Sequence, residues 1–407
     1  MPYCNSLLSR TTSPIGIFVI VLTMSLTSLG QVPARKSVPA TPPTQNQSGV
    51  SKGLLELYES TKNMSKEEEF TRVIDETLSV ANDTRRSPGD RDYAKQLLAW
   101  GANKRGELKC DRAGDLVKQG KTIEASKLDQ SAAEDFQLAL RNDPKRWKAR
   151  HNLGIVLAMQ NKRDLAIANF TEVIAENPKY ANAYFNRGEL YDQLREPDLA
   201  IADFSTAIQI NQNDAEAYNS RARVEFQTND LEQAIADYRK ATQLVPTNVE
   251  YLIDYADACQ STYRWQDALS SYRRVLTIEP KNARALQNSA WLLATCPDSK
   301  FRDAKAATEV IELAIESSPS IDFQHLDVHA AALAASGDFS NATKLAKRAA
   351  DQAPVEERDE IQSRLSLYQK SRAYLQPTAL KSSDRHAENV RSAQKSSASA
   401  PVGTGIR

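Results

Sequence analysis

ANAYFNRGELYDQLREPDLAIADFSTAIQINQND, residues 181–214, is one period of a pattern that runs four times without a gap through residues 147–282. Gly154, Gly188, Ala222 and Ala256 lie 34 residues apart, and so do Ala166, Ala200, Ala234 and Ala268. Phe170, Phe204, Tyr238 and Tyr272 keep the same spacing. A fixed period of this length, with small residues at two places and an aromatic at a third, marks a repeat architecture whose helical units bury their apolar faces only by stacking. Small residues let the two helices of a unit approach closely, and inserting methylenes into such a contact costs about 1–3 kcal/mol. Gly188 is therefore expected to face Ala200 and to tolerate no bulk. Pro144, Pro178, Pro246 and Pro280 stand where a proline ends a second helix, and Gln212 replaces it in one unit. Pro197 suits a first helical turn, and Asp230 with Gln233 has the spacing of a capping box.

The pattern resembles the tetratricopeptide repeat (TPR) family, with a small residue at position 8, alanine at 20, an aromatic at 24 and proline at 32 of each unit. The resemblance implies an all-α, right-handed superhelical solenoid of antiparallel helix pairs that serves as a binding scaffold. A chain of 407 residues exceeds a usual single core of roughly 250–300 residues, but a solenoid escapes that limit because each unit touches only its neighbours.

The repeats extend both ways from the regular block. Residues 51–146 read as N-terminal helices and a divergent, long TPR hairpin. Leu54, Leu55 and Tyr58 share a helical face, and Ser65 with Glu68 has capping-box spacing before Phe70, Val73 and Ile74. Ser87, Pro88 and Gly89 break the chain before a long helical pattern in which NKRGEL (103–108) echoes NRGELY (186–191). Its partner carries Ala132, Phe136 and Ala139, but the two halves stand 14 residues too far apart, which predicts an insertion near Gly120. Residues 283–322 form a repeat whose helices are separated by CPDSKFRD (296–303), with a second helix from about Arg302. Residues 323–375 give a further repeat and a last capping helix over 356–374, and residues 376–407 are disordered by composition.

At the other end, IGIFVIVLTMSL (15–26) follows Arg10 and precedes Ser28-Leu29-Gly30, the layout of a secretory signal peptide over 1–30. The apolar run falls short of the ~20 residues that span a bilayer. Residues 31–50, with four prolines, read as a disordered linker. The chain is thus expected to be exported, periplasmic or secreted; an uncleaved segment is the alternative, and only then does the chain contact a membrane, as an anchored protein.

No catalytic residue, metal site or cofactor is assigned. Charge is balanced at 52 basic and 52 acidic residues, which speaks against nucleic acid as a partner. His325 and His329 lie four apart in HLDVH, without the glutamate of a zinc-hydrolase motif. No GxSxG, P-loop or GxGxxG occurs. Cys259 and Cys296 are expected to be buried thiols, and Cys110 is the candidate for a reactive one. What remains is the groove that the TPR resemblance implies along positions 2, 5, 6, 9, 12 and 13 of the first helices. It assigns His151, Asn152 and Ile155, then Phe185, Asn186 and Glu189, then Asn219, Arg223 and Phe226, and finally Asp254 and Asp257. Phe185 and Glu189 stand where a carboxylate-binding clamp needs a basic residue or an asparagine, so a basic or neutral segment with apolar anchors is the expected ligand. The reading is a protein-interaction scaffold for a cell-envelope partner; an accessory subunit of an envelope enzyme and a self-assembling structural protein are its rivals.

Overall fold

The computed structural model describes residues 49–377. The expected signal peptide (1–30), the expected linker (31–50) up to residue 48 and the expected tail (376–407) beyond residue 377 lie outside the described residues. The described residues form helices joined by short connections, with no strand among them and no helix long and apolar enough to cross a membrane. In order the helices are α1 (Lys52–Thr61), α2 (Glu67–Asn82), α3 (Pro88–Lys118), α4 (Thr122–Asn142), α5 (Trp147–Met159), α6 (Arg163–Glu176), α7 (Ala181–Gln193), α8 (Pro197–Ile210) and α9 (Ala215–Gln227). They continue as α10 (Leu231–Leu244), α11 (Val249–Ser261), α12 (Trp265–Ile278), α13 (Ala283–Thr295), α14 (Ala304–Ser317), α15 (Phe323–Ala335), α16 (Phe339–Gln352) and α17 (Val355–Gln369). The architecture is an α-solenoid of antiparallel helix pairs. The described residues divide into two compact units, one up to Val224 and one from Glu225, the division falling within α9.

The regular pairs share one design: first helices of 13 residues start 34 apart, and second helices of 14 follow. Between them a single residue turns left-handed, at Asn161, Arg195, Asn229 and Tyr263, again 34 apart, with φ of 59–67°. Each of these turns closes the way a helix C-terminus does when its sixth residue bonds back to the first: Glu196 N–H to Tyr191 O at 2.9 Å, Arg264 N–H to Cys259 O at 2.8 Å. Gly120 (φ 76°) makes the same closure between α3 and α4, and Gly337 (φ 90°) between α15 and α16. The 14 extra residues of the divergent hairpin therefore continue its two helices toward the turn, seven on each, and form no loop at Gly120.

Three local expectations are corrected. The box at the start of α2 is made by Glu69, which accepts from the Ser65 and Lys66 amides at 2.8 Å, because the helix begins at Glu67. Asp230 caps α10 by position but makes no side-chain cap bond. The last helix is shorter than 356–374 and ends at Gln369.

The first unit shows why glycine stands at position 8. A Cβ on Gly106, Gly154 or Gly188 would lie 2.6, 2.8 or 2.9 Å from the ring of Phe136, Phe170 or Phe204 in the paired helix. Gly188 thus faces Phe204 and the Asp203 Cβ, not Ala200. All three rings are buried. In the second unit the equivalent first-helix residue of α11 is Ala256, and the facing aromatic is Tyr272, whose hydroxyl is tied to Asp257.

Candidate protein-interaction site

Helix geometry puts positions 2, 5, 6, 9, 12 and 13 of a first helix on one broad face, and the next pair in the stack covers much of it. In the first unit this covering is complete at positions 5 and 6 of α5 and α7. His151, Asn152, Phe185 and Asn186 are buried, and Ile155 is 8% exposed. Their polar atoms bond one another across successive first helices. Asn152 Nδ2 donates to Asn103 Oδ1 at 3.3 Å, Asn103 donates to Glu107 at 2.6 Å, and Asn186 Nδ2 meets His151 Nε2 at 3.1 Å. His151 also packs against Phe170 and Tyr180, with ring centroids 5.6 and 5.0 Å away. Burial pushes the Glu107 carboxyl above its ordinary range, against the pull of Lys104 at 2.6 Å.

Glu189, Asn219 and Arg223 remain half-buried in this unit. Arg223 reaches back from α9 to α7, where its guanidinium bonds Asp192 through Nη1 and Glu189 through Nη2 at 3.2 Å. Asn219 precedes it by one helical turn. The flank is stiffened by Arg187, which holds Asp203 with two bonds at 2.7 and 2.8 Å, an arrangement that Arg105 repeats on Asp135 in the long hairpin.

In the second unit Phe226 is half-buried at the end of α9. Asp257 is buried and accepts from Tyr272 Oη, Arg284 Nη2 and, at 2.8 Å, Asn288 Nδ2. Asp254 is half-buried, 3.4 Å from the same arginine. The two acids are thus engaged by the following first helix. Arg284 and Asn288 are positions 2 and 6 of the unit that begins at Ala283, so carrying the same count one unit further finds them.

The other candidates resolve simply. Cys110 is only partly exposed, and burial pushes its thiol up to about 12, which corrects its assignment as a reactive group. Burial likewise raises Cys259 to about 12 and lifts Cys296 above its usual value. His325 bonds the helix-capping Asp322 at 2.7 Å, and burial lowers the half-buried His329 imidazole below its ordinary value. No group of three potential metal ligands comes together among the described residues. The 296–303 insertion opens a cleft of about 450 Å³ against α12, α13 and α14, lined by Arg273, Leu293, Lys300 and Phe301 among others. Arg302 of that loop is tied to Cys296 O at 2.7 Å.

Two tetratricopeptide repeat family models match the chain, one over residues 181–214 and the other over 215–248. No curated protein matches it in sequence. Among solved structures, a tetratricopeptide repeat protein from Parabacteroides merdae is 19% identical, with 65% of this chain and 98% of that one covered and a TM-score of 0.42. PilF from Pseudomonas aeruginosa is 17% identical over 55% of this chain and 96% of its own, TM-score 0.45. YrrB, described as a TPR protein with an unusual peptide-binding site, is 17% identical over 55% of this chain and 98% of its own, TM-score 0.38. Scores of this size carry no functional argument. Two adjacent family matches, set in a series of helix pairs of equal length and spacing, make this chain a tetratricopeptide-repeat protein.

Proposed function

We propose that the chain is an exported, non-catalytic scaffold that holds a peptide or helical segment of a cell-envelope partner on the part of its first-helix face left open, which in the first unit is Glu189, Asn219 and Arg223. That its repeats serve protein interaction follows from the family. The observation that carries the choice of place is the division of the face. His151, Asn152, Phe185 and Asn186 are consumed in packing, whereas Arg223, held by Glu189 and Asp192, keeps 24% of its side chain exposed to a ligand. Such a group binds with little further loss of side-chain freedom. Because the neighbouring acids are already paired, recognition falls to polar contacts with a neutral or basic segment. Export is supported by the apolar run at 15–26.

The test is capture of partners from an envelope fraction by the wild-type chain and by Asn219→Ala and Arg223→Ala variants, with Gln209→Ala on an exposed second-helix position as control. At least a tenfold loss of the captured partner in the first two, with the control unchanged, supports the place. Phe185→Ala is unsuited, because that ring is buried against Phe204 at 5.6 Å and its loss damages the core. An identical set of partners from all four proteins rules the face out.

A further inference from the structure

α17 ends like the hairpins do. Ser371 turns left-handed (φ 56°), its amide bonds Tyr368 O at 2.9 Å and the Arg372 amide bonds Leu367 O at 3.0 Å. The turn sends residues 372–377 away without helix and back over α13. There the Tyr374 ring lies 5.7 Å from that of Trp291, and the Arg364 guanidinium sits over both, 5.3 Å from Trp291 and 5.7 Å from Tyr374. Arg364 is itself fixed by two bonds to the buried Asp327, at 2.8 and 3.1 Å. Two residues further on, Gln376 donates its backbone N–H to Thr295 O at 2.8 Å and its Nε2 to Thr295 Oγ1 at 2.7 Å. Thr295 is the last residue of α13, so its carbonyl is one of those a helix C-terminus leaves without an intrahelical partner.

Counted from Ala283, Trp291 and Thr295 are positions 9 and 13 of their unit. These are the positions that Arg223 and Gln227 occupy in the unit that begins at Ala215. An extended segment thus already lies on the binding positions of one first helix, and it is this chain's own.

We propose that residues 372–376 are a resident ligand of a peptide site on α13, and that the site takes in their place an extended segment of another protein carrying an aromatic residue two positions before a glutamine or asparagine. The aromatic residue is recognised by Trp291 and Arg364, through ring contact and the attraction of a cation to a ring face. The amide is recognised by Thr295, which offers one acceptor to the backbone and one to the side chain. A tethered segment competes at an effective concentration in the millimolar range, so an external segment of ordinary affinity gains access only when the strap is released. The proposal rests on the reading above only in placing ligands on positions 9 and 13 of first helices, and its test uses no cellular partner, so either can fail alone.

The probe is a fluorescein-labelled peptide of residues 370–378, KSRAYLQPT, followed by anisotropy with the full chain. The Tyr374→Ala/Gln376→Ala double variant, which unlatches the strap, is expected to bind it at least tenfold more tightly than the wild-type chain. Adding Trp291→Ala is expected to abolish that gain. A double variant with unchanged circular dichroism that binds no better than wild type overturns the proposal, as does binding that ignores Trp291→Ala. Gln376→Glu guards against misfolding, because it keeps the ring contact and replaces only the amide donor. It too must bind more tightly than wild type, and equality with wild type overturns the proposal. A wild-type dimer in light scattering that becomes monomeric in Gln376→Glu assigns the strap to a second copy and overturns the resident-ligand reading as well.

Discussion

Replacing Gly188 by alanine adds one methyl group where the structure has no room for it. The new Cβ would lie 2.9 Å from Phe204 Cε1, 3.1 Å from Cδ1 and 3.3 Å from the Asp203 Cβ. Phe204 cannot yield cheaply: it is fully buried, with Phe185 behind it at 5.6 Å, and Asp203 is held by Arg187. Overpacking of this kind costs about 2–3 kcal/mol at the upper end of its range. Alanine returns about 1 kcal/mol through helix propensity. The net expectation is a destabilisation of ~1–2 kcal/mol, read from urea unfolding followed by circular dichroism. Gly114→Ala is the control: it lies exposed in α3 with nothing within 4 Å of its would-be Cβ. It should therefore stabilise by ~0.5–1 kcal/mol. Shrinking the opposing ring in Gly188→Ala/Phe204→Leu should cost less than the two single changes added together, by ~1 kcal/mol. A neutral or stabilising Gly188→Ala, or strict additivity in the double variant, would refute the close approach of the helix to the ring.

Other consequences follow from the same geometry. Burial holds the His329 imidazole below its ordinary value despite Glu312 nearby, so the unfolded chain takes up a proton more readily than the folded one. Stability should fall as pH drops from the ordinary histidine value toward the lowered one, and His329→Gln should flatten that part of the profile in urea titrations between pH 7 and 5. With Cys4 changed to serine, the remaining thiols should resist iodoacetamide at pH 8 in the native state and react promptly in urea, since burial raises Cys110 and Cys259 to about 12 and Cys296 above its usual value; fast native alkylation at Cys110 would contradict the burial. Arg195 sits exposed at φ 60°, where a side chain costs ~1–2 kcal/mol. Arg195→Gly should stabilise by ~0.5–1 kcal/mol after the extra freedom of the unfolded glycine is subtracted, and a lower unfolding midpoint would count against the left-handed turn.

The repeat was legible because its determinants recur within one turn or one period. The small residue, the alanine and the aromatic each mark a helix face, and the helices start where the 34-residue count puts them. Even the partner of position 8 was open to reading: glycine goes with phenylalanine at 154/170 and 188/204, and alanine with tyrosine at 256/272. The left-handed turns were hidden, because arginine and tyrosine at 195 and 263 carry no signal for that conformation while asparagine at 161 and 229 does. The site was legible as a row of positions but not as a surface. Which residues of the row are open depends on the next helix pair: it seals Phe185 and Asn186 yet leaves Glu189 and Arg223 partly exposed. The strap was unreadable for a plainer reason. Gln376 and Thr295 are 81 residues apart, and SRAYLQ has no period that announces a partner.

The account stands or falls on whether the open part of the first-helix face meets another protein. A photoreactive benzoylphenylalanine at Asn219, illuminated in the native cell envelope, measures this directly against the same residue at the exposed second-helix position Gln209. The account predicts a discrete crosslinked protein at residue 219 that is absent at 209 and lost when Arg223→Ala is added. Equal crosslinking at both positions, or none at 219, contradicts it.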